Sequence, residues 1–151
     1  MPCLWLQHNK RQIFLNVAIL RPDDLLAEAR GLAASAPNTF SALLDTGATC
    51  TCITKRVAES VGLLPIGKVP IHGVSGLSYH NNYLFCVGFP VSRQDYADPR
   101  QQVMETHIAD VQVQGAELVI PGGEFDVLLG MDILSTGSLA VEGSGTFSFS
   151  F

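Results

Sequence analysis

The residues best suited to chemistry lie in Leu43-Leu44-Asp45-Thr46-Gly47-Ala48-Thr49. Asp45 follows apolar Ala42-Leu43-Leu44, and Gly47 lets the backbone turn so sharply that a carboxylate is held at the end of a hydrophobic strand. A lone carboxylate in such surroundings is costly unless it is paired, hydrogen-bonded or used. Two readings stay open for Asp45: it caps its own turn, or it serves as an acid or base in catalysis. Far downstream, Val127-Leu128-Leu129-Gly130-Met131-Asp132-Ile133-Leu134 joins an apolar run to a glycine and a helical turn. Between them lies Gly73-Val74-Ser75-Gly76, which by itself reads as a hairpin tip.

A carboxylate held this way needs strands on either side, and the hydropathy pattern supplies them. Ile13, Leu15, Val17 and Ile19 alternate along 12–20, predicting a strand that ends at Arg21-Pro22. An acidic start, a basic end and Gly31 predict a short helix over 23–30, followed by a loop to residue 38. Strands over 39–44 and 50–53 flank the Asp45 turn. A helix over 54–62 has Thr54 at its start, Val57 and Val61 on one face and Gly62 at its end. Short strands are expected at 69–71, 77–83, 84–89, 106–113 and 117–120, with a polar exposed loop over 90–105. A buried strand over 125–130, one helical turn over 131–135, and a hairpin of 138–142 with 146–151 complete a mainly β chain. Its class is all-β with one or two short helices.

Composition narrows the function. The 151 residues suit one domain spanning 1–151. Only 15% are charged against an ordinary share of about 25%, and 47% are apolar, a balance that excludes a disordered chain. No stretch approaches the ~18 apolar residues of a membrane span. Net charge is −5 with the basic residues scattered, so neither a membrane nor nucleic acid is expected as a partner. The N-terminal apolar run lacks a basic start and breaks at Gln7, unlike a secretory signal. Cys3, Cys50, Cys52 and Cys86 form no CxxC spacing and read as reduced thiols of a cytoplasmic protein, with no metal or organic cofactor. A cysteine protease built on Cys50 or Cys52 with one of His8, His72, His80 or His107 is the rival enzyme, unsupported by local sequence. Surface or core roles are favoured for all four histidines, none of which has a Ser or Cys at a recognisable spacing.

The segment around Asp45 resembles the active-site loop of aspartic proteases, and Ala48 after the glycine is typical of their retropepsin-like, retroviral-type branch. Residues 127–134 resemble that family's second signature, here Leu128, Leu129, Gly130 and Asp132. The helix after the loop and the 73–76 tip correspond in order to its post-loop helix and flap. The likeness spans about 12–142, with 21–38 and 91–105 as insertions, and it implies a closed, barrel-like protomer. It implies Asp45 as the catalytic carboxylate, with Thr46 bracing the two loops and Gly47 and Ala48 supporting them. It also implies Gly73, Val74, Ser75 and Gly76 as a flap over an extended peptide, and Leu128 at the cleft.

Such proteolysis needs two carboxylates sharing a proton and a water, and this chain has one Asp-Thr-Gly. The expectation is a homodimer in which two Asp45 meet on the axis, acting at acidic to mildly acidic pH. The sequence departs from the retroviral pattern at Thr49 and Met131, where an acidic residue and an arginine commonly pair. Phe147, Phe149 and Phe151 alternate with serines, and the aromatic face is expected to be covered in the dimer, although a monomer core could take it equally well. Alternatives are a catalytically silent dimer of this fold used for peptide binding or assembly, and a structural β-domain in which the Asp-Thr-Gly turn is coincidental.

Overall fold

The computed structural model describes residues 2–29 and 37–151, with side chains described for all of these except 27–29. In chain order the elements are β1 (Cys3–Gln7), β2 (Phe14–Leu20), α1 (Pro22–Ala29), β3 (Thr39–Leu44), β4 (Cys52–Thr54) and α2 (Lys55–Val61). There follow β5 (Gly67–Gly73), β6 (Gly76–Gln94), β7 (Gln102–Leu118), β8 (Val127–Leu129), α3 (Met131–Leu134), β9 (Ser138–Val141) and β10 (Thr146–Ser150). Strands dominate, as the alternating hydropathy requires. The expected basic end of the first helix, Arg30, and most of the loop after it lie outside the described residues.

Seven strands form one sheet in the order β2-β3-β8-β4-β7-β6-β5. β2 also pairs with β6, residues 18–20 against 86–88, so the sheet curls back on its first strand. Its interior holds Leu15, Val17, Ile19, Phe40, Ala42, Ile53, Phe85, Val87, Val113, Val127 and Leu129, all buried. Each fully buried Val, Ile, Leu or Phe contributes about 1.5–3 kcal/mol. That magnitude lets strands as short as β4 and β8 hold position, because Ile53, Val127 and Leu129 are fully buried. A second sheet has the order β1-β10-β9.

Four expectations need correction. β4 starts at Cys52 rather than at residue 50, because the Asp45 turn uses the intervening residues. The short strands expected over 77–89 are one strand, β6, since nothing between Tyr83 and Leu84 interrupts pairing; those over 106–113 and 117–120 likewise fuse in β7, which ends at Leu118. The polar stretch over 91–105 is mostly the arms of that β6–β7 hairpin, with only 95–101 outside the strands. Cross-strand pairs such as Arg93 with Glu105, at 2.6 Å, let a polar sequence persist as strand. Finally, the aromatic face of β10 belongs to the protomer's own core. Phe147 and Phe149 are buried in one chain, with the rings of Phe149 and Phe151 at 5.4 and 4.4 Å from Phe89.

Candidate active site

β8 threads between the two strands that carry the Asp45 turn. It runs parallel to β3, Leu43 opposite Leu128 and Leu44 opposite Leu129, and antiparallel to β4, Cys52 opposite Leu128. The two signatures, more than 80 residues apart, therefore share one crossing. The main chain fixes the turn: Asp45 N–H donates to Leu129 O at 3.0 Å, Leu44 N–H to Ile13 O at 2.9 Å, and Ala48 N–H to Asp45 O at 3.2 Å. The Asp45 carboxylate is half-buried, and its Oδ1 accepts from Gly47 N–H at 2.8 Å. Both readings of Asp45 are thus compatible, since capping uses one oxygen and Oδ2 has no partner among the described residues. Thr46 and Gly47 are exposed beside it, and Ala48 is half-buried.

Thr51, fully buried, supplies the brace that sequence reasoning missed. Its hydroxyl donates to Asp132 Oδ1 at 2.7 Å and accepts from Gly130 N–H at 3.0 Å. The Asp132 carboxylate also accepts from Thr51 N–H, at 2.9 Å to Oδ2, and from Ile133 N–H at 2.9 Å. Three donor groups, the Thr51 hydroxyl and the N–H groups of Thr51 and Ile133, thus converge on this partly buried carboxylate. Gly130 is required by proximity: a Cβ there would lie 2.6 and 2.7 Å from the carbonyl carbon and oxygen of Cys50. Gly115 on β7 is required similarly, 2.4 Å from Thr51 O. At the two departing positions the backbone ties the turn to α3, Met131 N–H to Ala48 O at 2.8 Å and Asp132 N–H to Thr49 O at 3.2 Å. No ion pair is needed there.

Asp126 is likewise committed, forming a two-pronged ion pair with Arg56 through Nε at 3.0 Å and through Nη2. Its main chain joins β3 to β4, accepting from Thr54 N–H and donating to Ser41 O, both at 2.9 Å. Of Asp45, Asp126 and Asp132, only Asp45 offers a carboxylate oxygen without a partner among the described residues.

Leu129 is buried and Leu128 half-buried, as alternation along β8 demands. Register places Leu43, Leu128 and Cys52 side by side on the half-buried face. The reading from sequence found only Leu128; the signal for the other two was their equivalent position across the crossing. Residues 73–76 form a two-residue hairpin turn, Gly73 opposite Gly76, with Val74 fully exposed. Among the described residues no hydrogen bond joins that tip to the Asp45 turn.

Among the described residues no cysteine is hydrogen-bonded to a histidine, as the rival chemistry would require. Burial pushes the Cys52 and Cys86 thiols up, away from the nucleophilic thiolate. His8 bonds Glu142 O at 2.9 Å, and His107 packs edge-on to Phe151. His80 Nε2 is hydrogen-bonded to Ser78 Oγ at 2.7 Å, because residues two apart share a strand face. The pair is near the hairpin tip and Ser78 is exposed. Among the described residues no cluster of three or more His, Cys, Asp or Glu is arranged to hold a metal. No helix among them is long and apolar enough to cross a membrane.

Solved structures and a family profile resemble this chain. A retropepsin-like aspartic protease from Rickettsia conorii superposes over 98% of this chain and 90% of its own, with TM-score 0.55 and 11% identity. A simian foamy virus protease covers 82% of this chain and 92% of its own at 15% identity, with TM-score 0.43. No curated protein sequence matches. The first superposition assigns the fold as retropepsin-like. The family profile described as "Aspartyl protease" matches residues 35–133, and the chain belongs to that family.

Proposed function

We propose that the protein is an aspartic endopeptidase whose site forms from two Asp45 carboxylates, one from each subunit of a homodimer. The observation that carries this reading is Asp45 itself: a half-buried carboxylate with an oxygen unpartnered among the described residues, on a turn fixed by the β3-β8-β4 crossing. Asp126 and Asp132 are engaged elsewhere, so the second carboxylate comes from a second copy.

The two Asp45 share one proton. The ionised member accepts a proton from a bound water as that water attacks the peptide carbonyl, and the protonated member donates to the carbonyl oxygen. Thr46, exposed at the rim, bonds across the axis, while Gly47 and Ala48 carry backbone near the substrate. An extended peptide lies over the Leu43-Leu128-Cys52 row, main-chain bonds orient it, and the Gly73–Gly76 hairpin closes above. Seven strands curled on themselves provide a barrel-like support. The four free cysteines fit a reducing, cytoplasmic setting.

The test is cleavage of a diverse peptide pool between pH 3 and 7 by wild type and Asp45→Asn. Cleavage lost by at least about a hundredfold in the variant supports the reading. Equal product patterns refute it.

A further inference from the structure

Ser78 and His80, bonded to each other on the β5–β6 hairpin, take no part in the Asp45 turn, but strand register shows which way they face. Directly opposite residues of paired strands lie on one face of a sheet, and residues two apart along a strand share that face. One face of the seven-stranded sheet packs on the core through buried Ile53, Phe85, Val127 and Leu129. The other carries the row Leu43, Leu128 and Cys52. From Cys52 this second face continues to Ala116 on β7, because Ile53 is opposite Glu117, and from Ala116 to Asn82 on β6. Two and four residues along β6 from Asn82 come His80 and Ser78, opposite Val69 and Ile71 of β5. His72 falls on the other face of the hairpin, opposite Leu77, with Pro70 opposite Tyr79. Burial agrees with the register. Val69, Ile71 and His80 are half-buried, while Pro70, His72, Leu77 and Tyr79 are exposed. A hairpin that folds over a peptide on the Leu43-Leu128-Cys52 row therefore presents His80 to it, and turns His72 away.

We infer that His80, oriented by Ser78, receives an acidic side chain of the substrate, so that the protease favours glutamate or aspartate at the position beneath the hairpin. This inference rests on the peptidase site proposed above. The neighbours of His80 on its face, Val69, Ile71, Ala116 and Asn82, carry no charge. The acid closest in the pairing, Glu117, lies on the core face with Ile53 and already accepts from Tyr83 at 2.7 Å and from Asn81 at 3.2 Å. Lys68, opposite Asn81, is likewise on the other face. Among the described residues the imidazole thus has a serine for a partner and no carboxylate. Its Nε2 is engaged with Ser78 Oγ, which also lies 3.5 Å from Ile71 O, and this fixes the ring on the strand. Nδ1 is left for a ligand. Between about pH 5 and 6 a free imidazole is mostly charged and a glutamate side chain mostly ionised. A charged imidazole donates from both nitrogens, so Nδ1–H can meet the substrate carboxylate while Nε2–H stays on Ser78. Such a bond is stronger than one to a neutral amide, and the apolar surroundings raise its weight.

The experiment is cleavage by the full chain, at about pH 5.5, of peptide pools in which each position near the cleaved bond is fixed in turn as Glu or as Gln. The two residues match in size, so the ratio of their kcat/KM values reads the charge. Wild type should favour Glu by about tenfold at one position or more. His80→Phe should bring that ratio close to one, and His80→Lys, which keeps a cation, should retain most of it. Ser78→Ala should lower the ratio partway and Ser78→Thr restore it, as expected of a positioning residue. His72→Phe, on the opposite face, should keep the wild-type ratio. Cleavage by wild type without a Glu preference at any position overturns the inference and leaves the protease reading standing. So does a ratio that is undiminished in His80→Phe, or one that falls as far in His72→Phe as in His80→Phe. Absence of Asp45-dependent cleavage from every pool overturns the protease reading itself, and this inference with it.

Discussion

Thr51 and Thr54 lie three residues apart, and the structure assigns them opposite energetic roles. Replacing Thr51 by valine keeps the shape and removes the hydroxyl. Two losses follow: a hydrogen bond to the Asp132 carboxylate, worth about 1.5–3 kcal/mol, and the partner of buried Gly130 N–H, whose desolvation costs about 1–3 kcal/mol. The two overlap in one network, so the combined destabilisation is about 3 kcal/mol. For a chain of this size each kcal/mol moves the melting temperature about 2–4 °C, giving a fall of about 6–12 °C. Thr54 Oγ1, in contrast, is buried without a partner among the described residues, so Thr54→Val should be neutral or stabilising by up to about 1 kcal/mol. Thr51→Ser retains the hydroxyl and recovers most of the loss. Urea and thermal unfolding at one fixed protein concentration measure all three, since dimerisation makes stability concentration-dependent. A Thr51→Val chain that melts within about 2 °C of wild type, or that matches Thr54→Val, would refute the brace.

Three further outcomes are expected. Gly130→Ala forces a methyl into the Cys50 carbonyl, so the crossing of the two signatures must shift; soluble protein should show a melting temperature lowered by several degrees or more and at least about tenfold weaker cleavage. Tyr83, buried and bonded to Glu117 at 2.7 Å, has its phenol held above its ordinary value, first by burial and then by that bond. The folded state keeps this proton to higher pH than the unfolded chain, so its contribution is full below about pH 10 and lost as pH rises through the folded value. Unfolding of Tyr83→Phe measured from pH 8 to 11 should therefore fall less steeply than wild type, and an unchanged slope contradicts this. Burial of Cys86 predicts that its thiol is not alkylated by iodoacetamide at pH 8 until the protein is unfolded, as peptide mapping would show.

The Asp45 turn was legible because its chemistry is local: an apolar strand, an acid and a glycine in consecutive positions. The second signature was legible for the same reason, and β3 was placed over its full length. Thr51 was not legible, because its partner Asp132 lies 81 residues away and a threonine before a strand has no distinctive local pattern. The polar arms of β6 and β7 read as loop since their stability comes from cross-strand pairing rather than from burial. β1 escaped notice because its five residues hold position only through β10, at the far end of the chain. The aromatic alternation in 147–151 was read correctly as a strand face, but its period alone cannot say whether the covering surface is the same chain or another.

The most direct test of a site shared between two chains is the activity of mixtures. Wild type and Asp45→Asn, mixed in equal amounts and allowed to exchange subunits, leave about one quarter of the dimers with two wild-type chains. Peptide cleavage per wild-type chain should then fall to about half and continue falling as the variant is added in excess. Cleavage per wild-type chain that stays constant at every ratio, with exchange verified, would contradict a catalytic centre made from two Asp45 carboxylates.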